Sequence, residues 1–232
     1  MVFRDQVGIQ RVAQDLFSSG AIPPTIFVGI DNGASTDRTT NPPDDRANEF
    51  LPYPDVSTDN PEPPAPQGKK YPSFVLGEVM PCIENAYRVA LGPQNTGIGG
   101  FSYGGTAALY TAVSRPGQFG ALLLESTPLW MGVDEQLMRD VGEARDWPSR
   151  VYTGVGTVEA AGLPAGLSAY PDKLVESISH SSPRTAVLAV TEEGAEHAPS
   201  AWGGRLRDAL TFLLGPATPP GLQRRRLPKR PS

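Results

Sequence analysis

The chain has one cysteine and two histidines among 232 residues, and these scarcities set the first limits on its chemistry. Cys82 has no partner for an internal disulfide, and its setting in "VMPCIENAY" predicts a buried, inert thiol rather than a reactive one. No His, Cys and carboxylate residues cluster at metal-ligand spacing, so neither a metal nor another cofactor is expected. No apolar run approaches the roughly 18 residues of a membrane span. The opening "MVFRDQVGIQ" lacks the charged-then-apolar order of a secretory leader. A cytoplasmic chain without a membrane partner is therefore the expectation. The net charge is −5, and Lys and Arg are scattered except in "RRRLPKR" near the C-terminus. That leaves no broad basic face for nucleic acid. Internal repeats are also missing, and nothing in the sequence speaks to an oligomeric state.

What the chain does have is alternation. One domain is expected over residues 1–215, because this length holds one full α/β core and leaves little for a second. Val7, Val12, Leu16 and Phe17 fall on one helical face over residues 5–19, closed by "SSG". The β-branched run "TIFVGI", residues 25–30, predicts a buried strand. Residues 31–72 are rich in Pro, Asp and Asn and read as a long excursion or cap outside the core. Leu76, Val79, Ile83, Tyr87 and Ala90 then recur at helical spacing. Further on, predicted strands at "TGIGGF", 121–126, 150–156 and 185–191 alternate with predicted helices near 103–114, 133–143, 170–180 and 199–214. Such alternation predicts a mostly parallel sheet with helices on both faces. Residues 216–232 are Pro-rich and basic and predict a solvated, disordered tail.

In "GGFSYGG" the pattern G-x-S-x-G falls on Gly100, Ser102 and Gly104, at a predicted strand-to-helix junction. A serine on such a turn is held in a strained backbone, and neighbouring glycines keep Cβ atoms out of the crossing helix and strand. The helix that follows offers backbone N–H groups, that of Tyr103 among them, to an oxyanion. A serine hydroxyl needs a base, and histidine has the suitable proton affinity. His197 follows the last predicted strand, at the sheet edge where Ser102 lies. His180 ends a helix on the opposite edge and is explained by the helix dipole. The imidazole needs an acid to orient it. Glu159 follows the preceding strand at the same edge, with Asp172, Glu192 and Glu193 as rivals. The order Ser102, Glu159, His197 is that of the α/β-hydrolase fold.

Together these residues resemble the enterochelin esterase-like and esterase D-like branch of the α/β-hydrolases. The resemblance is carried by "VGIDNG" at 28–33, "RANEFLPY" at 46–53, "LGEVMPCIENAYR" at 76–88, "GGFSYGG", "YTGVGTVE" ending at Glu159, and "GAEHAPSAWGGRLRDALTFL" at 194–213. It implies hydrolysis of a small-molecule carboxylic ester through an acyl-enzyme, with Ser102 as nucleophile, His197 as base and Glu159 as the acid.

One departure from the family pattern matters. The fold normally opens with three strands, and the loop after the third supplies a second oxyanion donor. No such run precedes the helix at residue 5. Without it the strands resembling "TIFVGI" and "TGIGGF" lose their shared neighbour and must leave backbone groups unpaired, close the gap or borrow a strand. Losing one oxyanion donor costs about 10² to 10³ in rate. The chain therefore reads either as a shortened working esterase or as a non-catalytic binding protein on the same fold. Asp31 and Asn32 are candidates for the pocket mouth, and Trp130 and Trp202 for aromatic walls; a turn at "DNG" and ordinary core packing are the competing explanations. Arg46 and Glu49, at helical spacing, are expected to pair with each other.

Overall fold

The computed structural model describes residues 6–33, 45–57, 65–159, 166 and 169–230. The first helix, α1 (Ile9–Ser18), buries Val12, Ala13 and Leu16 on one face. Three short helices follow, α2 (Asp45–Phe50), α3 (Tyr71–Phe74) and α4 (Met80–Ala86), the last two joined by a wide helical stretch at Val75–Val79. Beyond them the expected alternation runs β1 (Gly97–Phe101), α5 (Tyr103–Ser114), β2 (Ala121–Glu125), α6 (Gln136–Glu143), β3 (Arg150–Gly156), α7 (Tyr170–Ser181), β4 (Ala186–Glu192), α8 (Pro199–Leu214) and β5 (Gly221–Leu227).

The strands form one sheet in the order β1-β2-β3-β4-β5, every neighbouring pair parallel. Because side chains alternate along a strand, each strand serves two cores. Leu122, Leu124, Val151 and Val187 face α5, α6 and α7, packing with Leu109, Leu137, Val141, Leu174 and Ile178. Ala121, Leu123, Tyr152, Leu188 and Val190 face α1 and α8, packing with Leu16, Leu206 and Leu210. This is a three-layer α/β architecture, a parallel sheet between two helical layers. Since α8 covers the face opposite α7 while the strand order continues in one direction, the β4–α8–β5 crossover has the opposite hand to the three before it.

The structure corrects four expectations. Residues 25–30 form no strand, and Ile26, Phe27 and Val28 are exposed. Among the described residues β1 has no neighbour on its outer side, so the backbone groups of that edge are left without a ladder. Of the three outcomes open to strands that lack a shared neighbour, neither a closed gap nor a borrowed strand is seen beside β1 among the described residues, and the Phe101 carbonyl on that side accepts from Arg46 instead. Cys82 is exposed rather than buried, because α4 buries none of its side chains. The 31–72 excursion is not outside the core: Ala47, Phe50 and Leu51 are buried, the first and last in the α5 cluster. A Cβ on Gly68 would stand 2.3 Å from the Leu51 carbonyl, so only glycine permits the chain to close over this helix. Residues 34–44 and 58–64 of the excursion lie outside the described residues.

The fourth correction concerns the basic tail, where Gly221–Leu227 is β5, in register with β4 from Ala186↔Gly221 to Glu192↔Leu227. Its side chains are nearly all exposed, so it has no apolar alternation by which to be read. Backbone pairing holds it, assisted by Arg224 on Asp172 at 2.6 Å and Arg225 on Asp208 at 2.7 Å. Charged side chains suit an edge strand, since they oppose pairing with a further chain.

Candidate active site

Ser102 occupies the junction between β1 and α5 with φ 55° and ψ −132°. A non-glycine residue at positive φ is strained, and the surrounding bonds hold it there. Its N–H donates to the Glu125 carbonyl at 2.9 Å, and its carbonyl accepts from Gly105 and Thr106 N–H at 2.8 and 3.2 Å. The glycine requirement differs in detail from the motif. A Cβ on Gly100 would meet the Gly104 carbonyl at 2.2 Å, and one on Gly105 would meet Thr127 Oγ1 at 2.1 Å, whereas Gly104 faces open space. Gly100 and Gly105 therefore allow the tight crossing. Gly104 contributes only its backbone.

Glu159 and His197 come together at the same edge. His197 Nδ1 lies 3.2 Å from Glu159 Oε2, with the carboxylate side chain 7 % exposed and the imidazole 43 %. Gly156, ending β3, makes this possible: a Cβ there would stand 2.2 Å from the Ala195 carbonyl in the loop that leads to His197. Trp202 joins this pair to the serine, with ring centroids 5.3 Å from Phe101 and 5.3 Å from His197. Phe101 immediately precedes Ser102. The Nδ1 contact leaves Nε2 as the nitrogen available to a hydroxyl, although no hydrogen bond joins His197 to Ser102 among the described residues. The rival acids have other partners: Asp172 holds Arg224, Glu193 receives Thr157 Oγ1, and Glu192 is buried on Arg205. His180 is in the last turn of α7.

Beneath this edge lies a charge cluster that sequence reasoning missed. Arg205, fully buried on α8, binds Glu125 with Nε at 3.0 Å and Nη2 at 2.8 Å, and Glu192 with Nη1 at 2.9 Å. Its Nη2 also lies 3.6 Å from Glu159 Oε1. Arg230, from the segment after β5, binds the other oxygen of Glu192 at 2.8 Å. Burial pushes the Glu125 carboxyl up to about 6, against the opposing charge of Arg205. Burial also opposes the Arg205 charge, but Glu125 outweighs it and holds the guanidinium ionised. The sequence signal was a charged residue on the apolar face of α8, set opposite glutamates that end two apolar strands. Gly154 clears room for one of them, since a Cβ there would be 2.6 Å from Glu125 Oε1.

On the outer side of β1, the Ser102 N–H points to β2, so the Phe101 carbonyl in the same trans peptide points to the open edge. Arg46 Nη2 donates to that carbonyl at 3.3 Å, and its guanidinium lies 5.3 Å over the Tyr103 ring. Glu49, expected to pair with Arg46, accepts the Gly33 N–H on both oxygens at 3.1 and 2.9 Å. Asp31 and Asn32 precede that contact, with Asn32 N–H on Asp31 Oδ1, and Gly33 ties their segment to α2. Asp55, not singled out from sequence, accepts from Tyr103 Oη at 2.9 Å, Trp130 Nε1 at 2.9 Å and Ser57 N–H at 2.8 Å. Trp130 thus stands beside Tyr103, while Trp202 is buried in the α8 core. Two surface concavities, of about 510 Å³ along α1 and about 200 Å³ between α5 and α6, lie away from this edge. No group of three potential metal ligands occurs among the described residues. No helix among them is long and apolar enough to cross a membrane.

A parallel sheet carrying a strained serine between its first strand and helix defines the α/β-hydrolase class. Residues 2–163 match the sequence model of the family described as "Putative esterase", and the chain belongs to that family. It is 23 % identical over 159 residues to the uncharacterized protein YbbA of Bacillus subtilis (strain 168), covering 68 % of this chain and 58 % of that one. The enterobactin esterase FES of Shigella flexneri superposes with a TM-score of 0.65 at 21 % identity, over 90 % of this chain and 49 % of FES. The BES protein of Bacillus cereus superposes with a TM-score of 0.68 at 16 % identity, over 91 % of this chain and 82 % of BES. The chain thus spans about half the length of YbbA and FES.

Proposed function

We propose that this chain hydrolyses small-molecule carboxylic esters through an acyl-enzyme. The observation that carries the reading is the meeting of Glu159 with His197 at the sheet edge where Ser102 is held at positive φ. In the proposed sequence Ser102 Oγ attacks the ester carbonyl as His197 Nε2 takes its proton. Glu159 Oε2 accepts from Nδ1–H and steadies the imidazolium. The Tyr103 N–H, at the start of α5, donates to the oxyanion. Collapse of the tetrahedral intermediate passes the proton from His197 to the departing alcohol, and water, activated by the same imidazole, then releases the acid. Asp31, Asn32, Trp130 and Trp202 are the proposed pocket residues, with Trp130 supported by its contact with the Asp55 that also holds Tyr103. Covalent labelling by a fluorophosphonate, abolished by Ser102→Ala, is the expected result; an unlabelled folded protein refutes the reading.

A second reading, a binding protein without turnover, is favoured by one observation: β1 has no strand on its outer side among the described residues, the side on which the family resemblance places the loop with the second oxyanion donor. Stoichiometric burst release from a chromogenic ester separates the two, since a binder acylates nothing.

A further inference from the structure

We propose that Ser126 is a positioning residue for the hydrolytic site, holding Glu159 so that its second oxygen faces His197. This rests on the triad reading above. Ser126 follows β2 and is almost fully buried, yet it adopts φ 48°, a left-handed conformation that is strained for a residue with a Cβ. The turn is pinned by its own N–H on the Gly154 carbonyl at 2.8 Å.

The hydroxyl so placed has its hydrogen-bond directions fixed by its neighbours. Trp202 Nε1, 2.8 Å away, can only donate, so Ser126 Oγ accepts from it. Glu159 Oε1, also 2.8 Å away, can only accept when ionised, so the single Ser126 proton goes there. Arg205 Nη2 donates to the remaining lone pair at 3.4 Å. The serine is therefore a relay in which every valence is assigned. Its output is an ordered carboxylate: Oε1 accepts from Ser126 and from Gly156 N–H at 2.6 Å, which leaves Oε2 on His197 Nδ1. Trp202 serves the arrangement twice, since the indole that donates to Ser126 also packs edge-on against the His197 ring. A generic apolar filler at position 126 would fit the same space but would leave the indole N–H and one carboxylate oxygen without this partner.

The test uses the full-length protein with ¹⁵N-labelled histidine rings. The chain has only two histidines, so His180 is an internal control for His197. A neutral imidazole whose Nδ1 faces a carboxylate carries its proton on Nδ1, whereas a free ring favours Nε2. In the native protein His197 should be predominantly the Nδ1–H tautomer. Ser126→Gly removes the hydroxyl and suits the positive φ, so the backbone has no reason to move. It should shift the His197 population measurably toward Nε2–H and leave His180 unchanged. With an ester substrate it should lower kcat by about tenfold or more, the scale of one hydrogen bond to a charged group, with KM within twofold. Its effect should vanish in a Glu159→Gln background. Trp202→Phe keeps the ring and removes the donor; it should shift the tautomer in the same direction, and it replaces the glycine variant if that one does not fold. An unchanged His197 tautomer in the folded variant overturns the proposal. If the tautomer shifts but native protein is not acylated by a fluorophosphonate, the hydrolase reading fails and the positioning of Glu159 by Ser126 stands.

Discussion

Replacing Gly100 by alanine would place a Cβ 2.2 Å from the carbonyl carbon and oxygen of Gly104 and 2.6 Å from the Gly105 nitrogen. All three are backbone atoms in the first turn of α5, so no rotamer change relieves the contact. Non-bonded carbon contacts settle near 3.5 to 4 Å, and β1 and α5 would have to separate by more than about 1 Å. Overpacking of this kind costs about 3 kcal/mol, and here it moves the two elements that fix Ser102. Gly104→Ala, four residues along in the same motif, adds its Cβ to open space inside a helix. It should be neutral or stabilising by about 0.5 kcal/mol, from the better helix propensity of alanine. Urea unfolding of both variants, with fluorophosphonate labelling of the folded fraction, reads stability and site geometry separately. Gly100→Ala should lose both, and Gly104→Ala neither. Equal destabilisation by the two substitutions, or a neutral Gly100→Ala, refutes the argument that the crossing, rather than the motif as such, demands glycine.

Ser102→Gly should raise stability by about 1 kcal/mol, because glycine tolerates φ 55°, while abolishing covalent labelling; a destabilised glycine variant in thermal melts would show that the backbone there is not strained. Glu125 gives a pH dependence whose sign is fixed. Its carboxyl is raised from 4.5 to about 6 in the folded protein, so the folded state binds more protons between those values. Its contribution is fully present below pH 4.5 and is lost as pH rises through 6, by about 2 kcal/mol at 1.36 kcal/mol per pH unit. Unfolding free energies measured from pH 4.5 to 7 should show this decline in the native protein relative to Glu125→Gln; parallel profiles count against it.

Much of the fold was legible because burial imposes a period on the sequence. The runs at 121–125, 150–156 and 186–192 are apolar because both faces of a central parallel strand are covered, and the helices between them carry one apolar face each. The serine turn was legible for the same local reason, since close crossing of strand and helix excludes side chains. Where the period was present without a neighbour to pair with, as at 25–30, the reading failed: a strand is a relation between two segments, and one segment does not contain it. β5 failed in the opposite sense, because an edge strand held by backbone bonds needs no apolar residues at all.

The order of Ser102, Glu159 and His197 along the chain, and their placement after the first, third and fourth strands, were legible in the sequence alone. That Glu159 meets His197, that Ser126 and Trp202 stand between them and the core, and that Arg205 gathers Glu125 and Glu192 were decided only in three dimensions. The physical reason is range. Periodicity and glycine requirements are set by residues within a few positions of one another, whereas these hydrogen bonds join residues 38, 33, 76 and 80 positions apart, which only the stacking of strands side by side brings within reach.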